Sequence, residues 1–148
     1  MSNETLRETY NRYRDIEVEA FRKKYRVFNG RGQTDFNAVA HALTSAGLVY
    51  RHGFERGTLA GELREVRSVF FDKKNTVKDS LRDNFNNKVG AAIAKYALES
   101  QLPEQALNLL VKDALDRGLL AVSEHKDPRV TFRNNLLGSR YEDLFDGP

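Results

Sequence analysis

Seven residues of types that move protons or hold polar substrates stand in three blocks of the chain: His41 and Ser45, Glu62 and Glu65, and Asp83, Asn86 and Asn87. A histidine, or a carboxyl group whose pKa has been raised, performs general acid–base work. Asparagine amides orient a substrate or stabilise negative charge that develops during a reaction. Together these groups suit proton transfer in a hydrolysis. His41, Glu65 and Asp83 are read as catalytic, and Glu62, Asn86, Asn87 and Ser45 as substrate-binding. The most unusual stretch is DNFNNKVG, residues 83–90. Asp, Asn and Gly are poor helix formers because their short polar groups compete for the backbone. Yet they stand inside a long helical pattern, so their side chains are expected to serve another purpose.

The elements that must position them follow from periodicity. Around a helix over 83–99, Lys88, Lys95 and Glu99 share one side, while Asn86 lies opposite with Gly90, Ile93 and Ala97. Asp83 and Asn87 flank Asn86, so the polar residues are expected on the buried side. Small residues at Gly90, Ala94 and Ala97 would let another helix approach closely. The stretch FNAVAHALTSAGLVY, 36–50, carries no charge apart from His41 and reads as a buried helix. It sets His41 one turn from Ser45. A helix from Thr58 to about Asp72 has its apolar arc at Leu59, Leu63, Val66 and Phe70, with Glu62 inside that arc and Glu65 at its edge. An inward carboxylate needs a donor or a positive partner, and His41 could be one. A structural network that locks helix packing is the competing reading, because buried polar groups must be bonded.

Elsewhere, residues 4–28 read as a first helix with Leu6, Tyr10, Tyr13, Ile16 or Glu17, Ala20 and Tyr25 at helical spacing. Its tyrosines are assigned to core packing. Asn29-Gly30-Arg31-Gly32 is a loop, and Gly53 and Gly57 bracket another. A helix runs from about Val77 to Ser100, and a further one from Pro103 ends at Gly118. LLAVSEHKDPRVTF, 119–132, reads as two short strands around Lys126-Asp127-Pro128. His52 and His125, at loop ends, are expected to be exposed. The expected fold class is mainly α, a compact helical domain of about five helices with a small C-terminal β-ribbon. One domain covers 1–148, with an N-terminal helix and loop over 1–33, a core over 34–122, and ribbon and tail over 123–148.

HALTSAGLVYRHG (41–53), GELRE (61–65), DNFNNKVG (83–90) and ALDRGLLAV (114–122) resemble, in order and spacing, a little-characterised all-helical domain family. That family occurs in phage proteins and at the ends of large secreted bacterial proteins. Its pattern is a histidine in a helix, then Gly-acid-x-x-Glu, then Asp-x-x-Asn-Asn-x-x-Gly. The resemblance spans roughly residues 36–122 and implies a phage or toxin setting, without an activity to carry over. The sequence departs from the pattern at Ala40, where the family has an arginine before the histidine. The charge balance of the pocket therefore differs here.

Composition bounds what remains. The chain has 148 residues, 40% hydrophobic and 30% charged, enough for one soluble domain with a real core. It holds no cysteine, which excludes disulfides, thiolate chemistry and cysteine zinc sites. The 24 Lys and Arg against 21 acids are scattered, with Arg22, Lys23, Lys24 and Arg26 as the densest cluster, which argues against nucleic-acid binding. No apolar run is long enough to span a membrane, and the polar N-terminus is not a Sec signal. The cytoplasm of the source or a host cell is compatible with this, as is export without a signal peptide. His41, Glu62, Glu65 and Asp83 mix nitrogen and oxygen ligands without tight spacing, so no metal and no cofactor is assigned. The expected function is a small phage- or effector-type protein with a buried His/Glu/Asp/Asn pocket working as a hydrolase. The alternative is a non-catalytic binding or inhibitor protein whose polar cluster is structural. Either would engage a macromolecular substrate or a host protein.

Overall fold

In the computed structural model, which describes residues 3–27, 33–60 and 77–120, the first helix opens on a reciprocal cap. The Thr5 hydroxyl accepts from the Glu8 amide at 3.1 Å, and the Glu8 carboxylate accepts from the Thr5 amide at 3.1 Å. From there α1 (Leu6–Arg12) passes into a π-helical turn (Tyr13–Glu17) and on into α2 (Val18–Tyr25). The remaining elements are α3 (Gln33–His52), α4 (54–60), α5 (Val77–Glu99) and α6 (Ala106–Asp116). The mainly α class therefore holds, and no strand occurs among the described residues. The expected ribbon lies outside them except for Leu119 and Leu120, which are buried and not in a strand.

The π-turn corrects the expected inner face of the first helix. Thr9, Tyr13, Val18 and Phe21 are buried, whereas Ile16 is 61% exposed and Ala20 is also exposed. A regular 3.6-residue period would have turned Ile16 or Glu17 and Ala20 inward. The wider turn takes up one extra residue, so the inner face steps directly from Tyr13 to Val18.

α3 and α5 form the centre and run in the same direction, since their partners advance together. Asn37 meets Asp83, His41 meets Asn87, and Tyr50 bonds the Leu102 carbonyl just beyond α5. Small residues set the spacing. A Cβ added to Gly90 would run into the Ala42 carbonyl, whose carbon would lie at 2.9 Å. A Cβ at Gly47 would meet the Tyr13 ring, with Cδ2 at 2.6 Å. The expected charged side of α5 is only partly exposed at Lys88 and Lys95, because residues 89–94 are buried without a break. Lys95 lies over the Phe54 ring at 5.4 Å instead of reaching fully into solvent.

Two boundaries also differ from expectation. Gly53, at φ +91°, ends α3, and the chain re-enters a helix at once. Gly57 is therefore helical and buried rather than a loop end, and α4 starts before Thr58. α6 turns Leu107, Val111 and Ala114 inward and closes with the Leu119 amide on the Ala114 carbonyl at 2.9 Å.

The N-terminal segment is clasped to this centre by charge. Glu104, in the turn before α6, accepts from Tyr13 Oη at 2.5 Å, Arg12 Nη2 at 2.9 Å and Arg51 Nε at 2.8 Å. Arg12 also donates to Glu4 at 2.7 Å, which holds the Glu4 carboxyl below its ordinary pKa. Burial is the largest single influence on Glu104 and raises its pKa, but the bonds from Tyr13, Arg12 and Arg51 outweigh it and leave the group lowered. Burial first, and then the bond to Glu104, push the Tyr13 phenol well above its ordinary value. His52 joins the clasp rather than solvent, contrary to expectation. Its Nε2 lies 2.8 Å from the Thr9 hydroxyl, and that hydroxyl donates to Glu4 at 3.0 Å. Burial, followed by the nearby Arg56 charge, lowers its pKa and favours the neutral ring. His125 lies outside the described residues.

Candidate functional site

The parallel pairing of α3 and α5 sets two polar rows against each other. Asn37, His41 and Ser45 recur every four residues on α3, and Asp83 and Asn87 do so on α5, so each row keeps one helix face. Asn37 Nδ2 donates to Asp83 Oδ1 at 3.1 Å. The other carboxylate oxygen, Oδ2, stands 3.4 Å from His41 Nε2. On the far side of the ring, Nδ1 lies 3.2 Å from Asn87 Oδ1. The His41 and Asp83 side chains are 22% and 12% exposed, so an ion pair formed when the ring is protonated is only partly screened by water.

A carboxylate and an amide oxygen both accept hydrogen bonds, so Asp83 Oδ2 and Asn87 Oδ1 can each take an N–H from the ring, and the Asn87 amide can turn to offer its NH₂ group instead. At 3.4 Å the Asp83 contact is looser than an ideal hydrogen bond, a common condition of acid–base pairs without substrate.

A cleft of about 220 Å³ reaches this cluster. His41, Thr44, Ser45 and Asn87 supply its polar lining, and Val18, Phe36, Ala40 and Leu48 its apolar walls. Tyr10 and Arg14 complete the lining from the N-terminal segment, the Arg14 guanidinium lying 5.3 Å from the Tyr10 ring centroid. Arg14 is also paired with Asp15 at 2.7 Å. Ala40 thus forms part of an apolar wall.

Of the residues expected at the site, His41, Asp83 and Asn87 come together, and Ser45 lines the same cleft one turn from His41. Asn86 is buried, 1% exposed, as its position around the helix predicted, but it is not among the cleft-lining residues. Glu62 and Glu65 lie outside the described residues. Among the described residues, no three His, Asp or Glu side chains converge to hold a metal ion. Asn37 was not anticipated. It is exposed near the start of α3, and only its four-residue offset from His41 hints at a shared face.

Asn37→Ala is expected to remove a donor from Asp83 and cost about 1 kcal/mol in urea unfolding. The ring-nitrogen chemical shifts of His41 should change with it. Unchanged shifts would mean that Asp83 keeps its place without Asn37.

No family model, curated protein or solved structure matches the chain. Among the described residues, no helix is long and apolar enough to cross a membrane.

Proposed function

We propose that the cleft at His41 is a general acid–base site and that the chain acts as a small hydrolase of phage or secreted-effector type. The observation that carries this reading is that a cleft reaches the Asp83–His41–Asn87 cluster. In this reading Asp83 orients the ring and balances its charge, and His41 takes a proton from water or a substrate hydroxyl. Asn87 and Ser45 hold the substrate. Glu65 keeps its proposed part as a further acid–base group, and Glu62 and Asn86 theirs as support for binding. The phage or effector setting rests on the resemblance of the four sequence blocks.

The test is expression in the bacterial cytoplasm and, separately, in the periplasm, with growth and lysis as the readout. His41→Gln and Asp83→Asn are each expected to relieve the growth defect by a factor of at least ~100 in survival, in line with the loss of an acid–base group. Circular dichroism should show both variants folded. Toxicity that persists in folded variants would overturn the proposal.

A second reading, a non-catalytic binding or inhibitor protein, draws on a different observation. The Asn37–Asp83 bond and the buried Asn86 are what a network tying α3 to α5 would use. In that case the two substitutions lower stability and leave the growth phenotype in place.

A further inference from the structure

We infer that the cleft accepts one apolar residue of a peptide, with the adjoining amide held at Asn87 and Thr44. This rests on the reading of the cleft as a functional site and names its substrate class. The argument starts with size. At about 220 Å³ the cleft is somewhat larger than the ~150 Å³ apolar cavity that accepts a benzene molecule. It suits a leucine- or phenylalanine-sized group and would be overrun by a long acyl chain.

Chemistry narrows the choice. Val18, Phe36, Ala40 and Leu48 give apolar walls on which a sugar's hydroxyls would find few partners. The Arg14 guanidinium is already paired with Asp15 at 2.7 Å, which weakens its pull on an anionic ligand. A peptide amide is neutral and offers one donor and one acceptor. The polar edge of the cleft answers both. With Oδ1 turned to His41, Asn87 has its NH₂ group left to meet a carbonyl, and the Thr44 hydroxyl can accept from an amide N–H.

The full chain, labelled with ¹⁵N, would be titrated with N-acetyl-L-leucinamide and N-acetyl-L-phenylalaninamide, and in parallel with N-acetylglucosamine and with hexanoate. Saturable shifts of the Ala40, Thr44 and Leu48 amides are expected with the two amino-acid amides, with a Kd on the order of millimolar. N-acetylglucosamine and hexanoate should bind at least tenfold more weakly. Ala40→Phe, or the smaller Ala40→Leu if the first does not fold, should abolish the shifts by filling the cleft. No saturation by the amino-acid amides overturns the inference, and so does preferred binding of the sugar or of the carboxylate. The His41→Gln variant separates the two claims. If it binds the amides like the native chain while the growth phenotype persists, the ligand class stands and the hydrolytic reading falls. If the amides fail to bind but His41→Gln still relieves toxicity, the ligand class alone falls.

Discussion

Glu104→Gln is expected to lower stability by about 2–3 kcal/mol at neutral pH and to flatten the acid side of the stability profile. The carboxylate takes hydrogen bonds from Tyr13, Arg12 and Arg51 at once. Its loss leaves two guanidinium groups with less negative charge to face. The side chain is 17% exposed, so the effect falls below that of breaking a fully buried ion pair. Because the folded pKa of Glu104 is lowered, its stabilisation is present above the ordinary value of 4.5 and is lost as pH falls through the folded value. Tyr13 works from the other side. Its folded pKa is raised, so its contribution is intact below its ordinary value of 10.0 and is lost as pH rises beyond that. Urea midpoints measured from about pH 3 to pH 8 would show the native chain losing stability below pH 4.5 and the variant losing less. Parallel acid limbs in the two proteins would show that the clasp does not govern acid stability.

Gly90→Ala should be the most damaging of the small substitutions in α5. Alanine normally improves a helix over glycine by about 1 kcal/mol. Here the added methyl meets the Ala42 backbone, which cannot rotate aside as a side chain would. Overpacking of this kind costs about 1–3 kcal/mol and sometimes more. Because the clash is with backbone, the upper part of that range applies, and after the helix gain a net loss of about 1–2 kcal/mol, or roughly 2–8 °C in melting temperature, is expected for a chain of this size. Because α3 and α5 separate at the His41–Asn87 level if the clash is relieved by movement, the same variant should also disturb the His41 ring signals in NMR. A melting temperature equal to or above that of the native protein would show that the two helices adjust freely.

What the sequence could reveal depended on whether a regular period was at work. The bounds of α5, the inward Asn86, the buried stretch 36–50 of α3 and the close approach at Gly90 all follow from one turn repeating every 3.6 residues, so they were legible. The inner face of the first helix was misread because its period is interrupted at Tyr13–Glu17, and nothing in the residue types YRDIE announces a wider turn. Asn37 was overlooked because a polar residue near the start of a helix usually faces water, and its partner Asp83 is distant in sequence. Glu104 and Arg51 escaped for a related reason. A clasp joining a turn, a helix end and the N-terminal segment leaves no local pattern. A place at a loop end predicts an exposed His52, whereas the neighbouring N-terminal helix bonds it through Thr9.

The wider turn at Tyr13–Glu17 has a consequence for chain length rather than residue identity. It absorbs one extra residue while keeping the helices on either side in phase. Deleting the exposed Ile16 would remove no buried contact and would let an ordinary helix form through the junction. Tyr13 and Val18 would then stand four positions apart, one α-helical turn, and both would still face inward. Thr9 would keep its place beside His52, and Arg12 its place beside Glu104. One more residue at the same point would have no wider turn left to absorb it, and everything before the junction would rotate by about 100°. The segment is thus indifferent to spelling and forgiving of one residue fewer, but not of one more.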